Sequence, residues 1–319
     1  MSSAISAVHL GKAYPKAAPG KFALDDLSLE IPTGHVYGLI GRNGAGKTTF
    51  IRIAATQLNA SRGTVYVLGY DVRNEEREIR TRIACVPQES RPLYFLTVEE
   101  VIYTYLKLRG LDTPEARRRT REAMDELSLS TYARVLVSRL SGGLRRRTLC
   151  AMVLASDADV MFMDEPTTGL DPLARREVWQ AIRRASREHR TIVLTTHYLD
   201  EAEALSSRLA LIESGRLQLE GTPGDLRGRV RYPYRVTIQG SYPREELAPY
   251  GKVTEIEGGV LLFTREQEAH EVARRALERG LRISMGPVSL EDIFLDVVGR
   301  SIDEDTDSSD KLEDAEAEA

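Results

Sequence analysis

"VYGLIGRNGAGKTTF", residues 36 to 50, decides how the rest of the chain is read. It opens as a short apolar run of the kind that forms a buried strand and closes as the apolar start of a helix. Between them, residues 41 to 48 fit the pattern G-x-x-x-x-G-K-[ST]. A strand, a glycine loop and a helix in that order make a phosphate cradle. Gly41, Gly44 and Gly46 let backbone approach the anion, Lys47 reaches β- and γ-phosphates, and Thr48 offers its hydroxyl to Mg²⁺. Asn43, Ala45 and Thr49 complete the loop. In a flexible segment the same letters would carry little weight; the flanking strand and helix give them meaning.

Working outward, apolar runs bounded by turn residues recur at "TVYVLG" (64–69), "RIACVP" (82–87), "DVMFMDE" (159–165), "TIVLTTH" (191–197) and "LALIESG" (209–215). Helical patterns separate several of them. The alternation predicts an α/β fold on a mainly parallel sheet covered on both faces. From about Leu96 to Ser156 the strands disappear. There "TVEEVIYTYLKLRG" starts on a Thr97/Glu100 capping box and ends at Gly110, and an Arg-rich helix follows Pro114. This block, residues 90–156, reads as a helical insertion in a domain spanning residues 1–229.

After "GTPGDLRG" (221–228) the pattern changes. "YRVTIQ" reads as a strand, "REELAPY" as a short helix, "KVTEI" and "GVLLFT" as a hairpin around Glu257-Gly258, and "LRISM" as a last strand. The intervening "TREQEAHEVARRALERG" reads as a helix with a Thr264/Gln267 capping box. Its expected apolar stripe is Ala269, Val272, Ala273, Ala276 and Leu277. The order β-α-β-β-α-β is that of a ferredoxin-like, split βαβ domain over residues 230–300, closed by the helix "SLEDIFLDVVG".

With 319 residues and 42% hydrophobic content, the chain can bury one large core and a smaller second one. No run approaches the roughly 18 consecutive apolar residues of a membrane span, and "MSSAISAVHL" lacks the pattern of a signal peptide. A soluble, cytoplasmic chain is expected. Cys85 and Cys150 sit in apolar runs and read as small buried hydrophobes, and no Cys/His cluster suggests zinc. Residues 301–319 hold nine acids against Lys311; subtracting that −8 from the chain's −4 leaves +4 on residues 1–300. The tail is expected to be a disordered, solubilising end. The +4 body is too weakly basic to predict nucleic-acid binding.

Asp164 and Glu165 end a buried strand. One acid there can hold a metal's water shell, and the other can orient a water for in-line attack on a γ-phosphate. Alone they would pass for a solvated turn, His197 for a surface or core histidine, and Gln88 for a loop residue. Yet each sits just past the C-terminal end of a predicted strand, where ligands of open α/β sheets bind.

The loop at 41–48, Gln88, "LSGG" at 140–143, Asp164-Glu165, "TGLD" at 168–171 and His197 occur in the order of an ABC-type ATPase, which the chain resembles over residues 4 to 229. The resemblance implies ATP and Mg²⁺, with Lys47, Gln88, Glu165 and His197 as catalytic residues and Thr48, Gln88 and Asp164 around the metal. It places Tyr14 on the adenine, with Phe22 competing for that role. It also implies that Ser141, Gly142 and Gly143 face ATP held by a second subunit, so that two chains, identical or related, sandwich two nucleotides. Leu144 departs from the family's usual glutamine. Arg145, Arg146 and Arg147 read as a solvated helix face, the alternative being that one meets a core acid or phosphate. Trp179 reads as packing.

"PVSLEDIFLDVVG" (287–299) resembles the ending of drug-resistance exporter ATPases, and residues near Arg91 to Val101 would receive a coupling helix of a separate transmembrane permease. The expectation is an exporter subunit at the cytoplasmic face of the cell membrane. The alternative is a soluble ABC ATPase acting on ribosomes or nucleic acid.

Overall fold

The computed structural model describes residues 3–15, 21–86 and 94–298. Gln88, Arg91 and the acidic tail therefore lie outside the described residues. The chain divides into two compact units, Met1–Glu220 and Gly221–Ala319.

The first unit runs β1 (Ser3–Lys12), β2 (Leu24–Pro32), β3 (Val36–Ile40), α1 (Lys47–Ala54), β4 (Arg62–Val67), β5 (Tyr70–Asp71), α2 (Glu76–Arg82) and β6 (Ile83–Val86). It continues with α3 (Val98–Leu108), α4 (Thr113–Glu126), α5 (Gly142–Leu154), β7 (Val160–Asp164), α6 (Pro172–Arg187), β8 (Thr191–Thr196), α7 (Leu199–Leu205), β9 (Arg208–Glu213) and β10 (Arg216–Gly221). Among the described residues, six strands form one sheet in the order β10-β9-β3-β8-β7-β6. The pairs β9/β3, β3/β8, β8/β7 and β7/β6 are parallel.

Both faces of this sheet are buried, and side-chain alternation sorts the residues between two cores. Tyr37, Leu39, Val160, Phe162 and Val193 face a core shared with β1, β2 and α1. Val36, Met161, Met163, Ile192 and Leu194 face the other, which continues into α3 to α6. Consequently β3, β7 and β8 end side by side, with Ile40 opposite Thr196 and Asp164 opposite Thr195.

A four-stranded sheet, β2-β1-β4-β5, was not foreseen: "TVYVLG" joins this antiparallel layer rather than the parallel sheet. Between β6 and β7 lie α3, α4 and α5. Thr97 Oγ1 accepts from Glu100 N–H at 3.3 Å while Thr97 N–H donates to Glu100 Oε2 at 2.9 Å.

The second unit begins with α8 (Pro223–Arg229) and continues with β11 (Tyr234–Gln239), α9 (Arg244–Leu247), β12 (Lys252–Ile256), β13 (Gly259–Thr264), α10 (Glu266–Glu278), β14 (Arg282–Pro287) and α11 (Leu290–Val298). Its sheet order, β12-β13-β11-β14 with each neighbouring pair antiparallel, places the third strand between the first two, as a split βαβ requires. Two local expectations fail. Thr264 donates its hydroxyl to Tyr250 C=O at 2.6 Å, and α10 starts at Glu266 without a side-chain cap. Leu277 is 59% exposed, so the buried stripe of α10 is Ala269, Val272, Ala273 and Ala276.

Among the described residues no helix is long and apolar enough to cross a membrane.

Candidate active site

The loop between β3 and α1 is fixed by its own chain. Gly41 approaches β9 so closely that a Cβ there would lie 2.1 Å from Ile212 C=O. Gly46, the N-cap of α1, has φ +108°, and a Cβ would meet Ala23 C=O at 2.4 Å. Lys47 is 5% exposed, and its ammonium donates to Gly41 C=O at 2.7 Å and Arg42 C=O at 3.0 Å. Burial lowers the Lys47 pKa, opposed by the negative charges of Glu165, Asp164 and Glu213. The ammonium is thus partly desolvated, which strengthens its pull on an incoming phosphate.

At the end of β7, Asp164 Oδ1 accepts from Thr48 Oγ1 at 3.2 Å and from the hydroxyl of Thr195. Burial raises the Asp164 pKa against the two hydroxyls, with Glu165 adding to the rise and Lys47 opposing it. A carboxylate and a hydroxyl at the foot of a phosphate loop form an oxygen-only donor set, the kind a hard divalent cation prefers.

Glu165 follows in a left-handed conformation, φ +49°, which costs a non-glycine residue about 1–3 kcal/mol. Its N–H donates to both C=O (3.1 Å) and Oγ1 (3.0 Å) of Thr195. Its own C=O accepts from Arg146 at 2.6 Å. At about 1 kcal/mol per hydrogen bond, these contacts are of the size needed to hold the turn. Glu165 Oε2 accepts from Thr168 Oγ1 at 3.0 Å and lies 3.4 Å from His197 Nδ1. Burial pushes the Glu165 pKa up, but the His197 imidazole, Lys47 and Thr168 together hold it below its ordinary value. The carboxylate is kept ionised in a site where only 7% of the residue is exposed.

Lys47, Thr48 and Glu165 share one cleft of about 320 Å³, lined also by Tyr14, Ala23, Asn43, Gly44, Ala45, Gly46 and Thr49. That is within the range of small-molecule sites. Asp164 and His197 are not in its lining and meet it through Thr48 and Glu165. Tyr14 Oη lies 3.2 Å from Thr49 Oγ1. Phe22 lies against Arg62 instead, 5.0 Å from ring centroid to guanidinium carbon.

Ser141, Gly142 and Gly143 are not part of this cleft. Ser141 is exposed and caps α5, accepting from Leu144 N–H at 3.3 Å. A Cβ at Gly142 would meet nothing within 4 Å. Leu144 packs against the core of the helical block, an apolar use of the position where the resemblance leads one to expect glutamine.

The expected solvated face of three arginines is not what forms. Arg146 is 8% exposed, and its Nη2 donates to the backbone carbonyls of Asp164 and Glu165. Arg147 pairs with Glu177 at 2.9 Å, and Arg145 lies over Tyr94. The signal for Arg146 was spacing: it shares an i, i+4, i+7 stripe with the buried Cys150 and Val153. Cys85 is half-buried and Cys150 fully buried, and burial pushes both thiols up to about 12. Trp179 packs as expected and also donates its indole N–H to buried Glu201 at 2.9 Å, beside Thr167 Oγ1 at 2.8 Å.

A sequence model of the family described as ABC transporter matches residues 24–168. The Nod factor export ATP-binding protein I of Burkholderia thailandensis is 37% identical over 285 residues, covering 88% of this chain and 94% of its own. Its namesake in Sinorhizobium fredii is 36% identical over 303 residues, 94% of this chain and 87% of its own. A solved ATP-binding subunit of an ABC transporter has a TM-score of 0.65 at 25% identity, covering 71% of this chain and 93% of that one. A bacterial ABC transporter cassette described as dimeric shares the fold, with a TM-score of 0.64 at 24% identity over 68% of this chain and 98% of its own.

Proposed function

The chain belongs to the family of ABC transporter ATP-binding proteins, and on that premise we propose that it is the ATP-hydrolysing subunit of an exporter. Two copies, or one copy and a related chain, close around two Mg-ATP beneath a separate membrane permease at the cytoplasmic face. The observation that carries this reading is the split of the site. Lys47, Thr48, Asp164, Glu165 and His197 converge at one end of the parallel sheet, while the Ser141 turn stands exposed and outside the cleft.

In this reading Tyr14 stacks on the adenine, and backbone N–H groups from Asn43 to Thr49 surround the phosphates. Lys47 reaches the β- and γ-phosphates in place of Gly41 and Arg42 C=O. Thr48 and Asp164, with Gln88, hold Mg²⁺, which when bound neutralises charge on the phosphates. Glu165 accepts a proton from the attacking water, and its lowered pKa keeps it ready to do so. His197 orients Glu165 and touches the γ-phosphate. Ser141, Gly142 and Gly143 donate to the partner's γ-phosphate, so ATP joins the pair and hydrolysis loosens it. The relatives' names, which speak of Nod factor export, support the export direction.

The test is Glu165→Gln. It is expected to bind ATP and lose hydrolysis by roughly a hundredfold or more. With ATP it is expected to elute as a dimer in gel filtration. Hydrolysis at the normal rate would remove Glu165 from the mechanism.

A further inference from the structure

Arg146 is a buried cation that the proposed mechanism leaves without a task. It lies one helical turn, about 6 Å, beyond Gly142 on α5. One guanidinium nitrogen, Nη2, serves two successive carbonyls, those of Asp164 and Glu165. Only 8% of the residue is exposed, so solvent does not compete strongly for those contacts. The turn it grips is the one in which Glu165 takes φ +49°. On the N–H side that turn is held by Thr195 of β8; on the C=O side Glu165 accepts from Arg146 at 2.6 Å and, within the turn itself, from Thr168 N–H at 3.3 Å, so Arg146 is the contact that comes from another element.

We propose that Arg146 is a positioning residue for hydrolysis. It holds the turn after β7 in its left-handed form, so that the Glu165 carboxylate points into the cleft beside His197 and Thr168 rather than swinging with a relaxed backbone. Arg146 takes its own place from the helix whose head is Ser141. The base acting on one nucleotide is therefore anchored by the element that faces the other. The inference rests on the reading of Glu165 as the base, and adds to it the residue that fixes where that base stands.

Because a buried arginine can matter for folding alone, a matched control is needed. At the far end of α5, Arg190 also donates to two carbonyls, Leu154 at 3.1 Å and Ser156 at 2.6 Å. It lies outside the cleft, so Arg190→Met removes a comparable guanidinium clamp without touching the turn.

In the full-length protein, Arg146→Met is expected to lower kcat about tenfold to a hundredfold, as a small misplacement of a catalytic group does. KM for ATP should stay within about twofold, since the phosphate loop is held by other contacts. Combined with Glu165→Gln, it should still yield the ATP-trapped dimer. Arg190→Met should lower Tm by a similar amount and keep kcat. A normal kcat in Arg146→Met overturns the proposal, as does a kcat loss matched by Arg190→Met at equal loss of Tm. So does a loss of dimer and a rise in KM that parallel the fall in kcat. Failure of the ATPase reading would appear elsewhere, as no hydrolysis by the unsubstituted protein or normal hydrolysis by Glu165→Gln.

Discussion

Two of the described helix starts, those of α1 and α5, follow glycine-bearing turns, and they are built in opposite ways. The loop before α1 is locked by its own chain: Lys47 is tied to Gly41 and Arg42, and β9 and Ala23 press against its glycines. The turn before α5 is exposed, and its serine occupies itself by capping Leu144. A site complete within one chain can be organised in advance, whereas a site that needs a second molecule must leave its half open. In the proposed reading the loop before α1 is the first kind and the serine turn the second.

The two glycines at these helix starts sharpen the contrast most. Gly46→Ala forces a Cβ at φ +108° to within 2.4 Å of Ala23 C=O. ATP binding, read by a fluorescent nucleotide, should be lost, and Tm should fall. Gly142→Ala meets open space in its own chain, and alanine favours the helix. Its Tm and single-chain ATP affinity should be unchanged, while the ATP-dependent dimer seen with Glu165→Gln should weaken about tenfold. If both substitutions behave alike, the contrast between the turns is wrong.

A third helix start gives the smallest effect. Asp171 caps α6, accepting from Leu173 N–H and Ala174 N–H at 3.0 Å each, and the Ala174 N–H is the leading cause that holds its pKa below 3.8. A lowered carboxylate pKa contributes stability that is present above 3.8 and lost as pH falls below it. Asp171→Ala should therefore lower Tm by a few degrees at neutral pH and by less in acid, measured by thermal unfolding. A pH-independent difference would mean that the charge plays no part in the cap.

Much of this could be read from the sequence, because the phosphate loop is local. One contiguous stretch contains the strand, the glycines, the lysine and the helix, and Asp164, Glu165 and His197 each mark a strand end. What was missed depends on contacts between distant segments. The β2-β1-β4-β5 sheet has a period-2 pattern in Leu27, Leu29 and Ile31, but only pairing across the chain separates it from the parallel sheet. Arg146 looked like one of three surface charges, and became a clamp when α5 was laid against the end of β7. Thr264 resembled a cap, yet Tyr250 C=O was the stronger claim on its hydroxyl. Polar side chains choose among partners that the one-dimensional pattern does not contain.

The central claim is that each nucleotide is shared between two chains. It is tested most directly with mixed dimers of a Glu165→Gln chain and a Lys47→Ala chain, loaded with an ATP analogue carrying a photoreactive group on the γ-phosphate. After illumination, label is expected on the peptide containing Ser141 in the Lys47→Ala chain, which cannot hold nucleotide by its own loop. Label confined to the chain with an intact Lys47 would contradict the account.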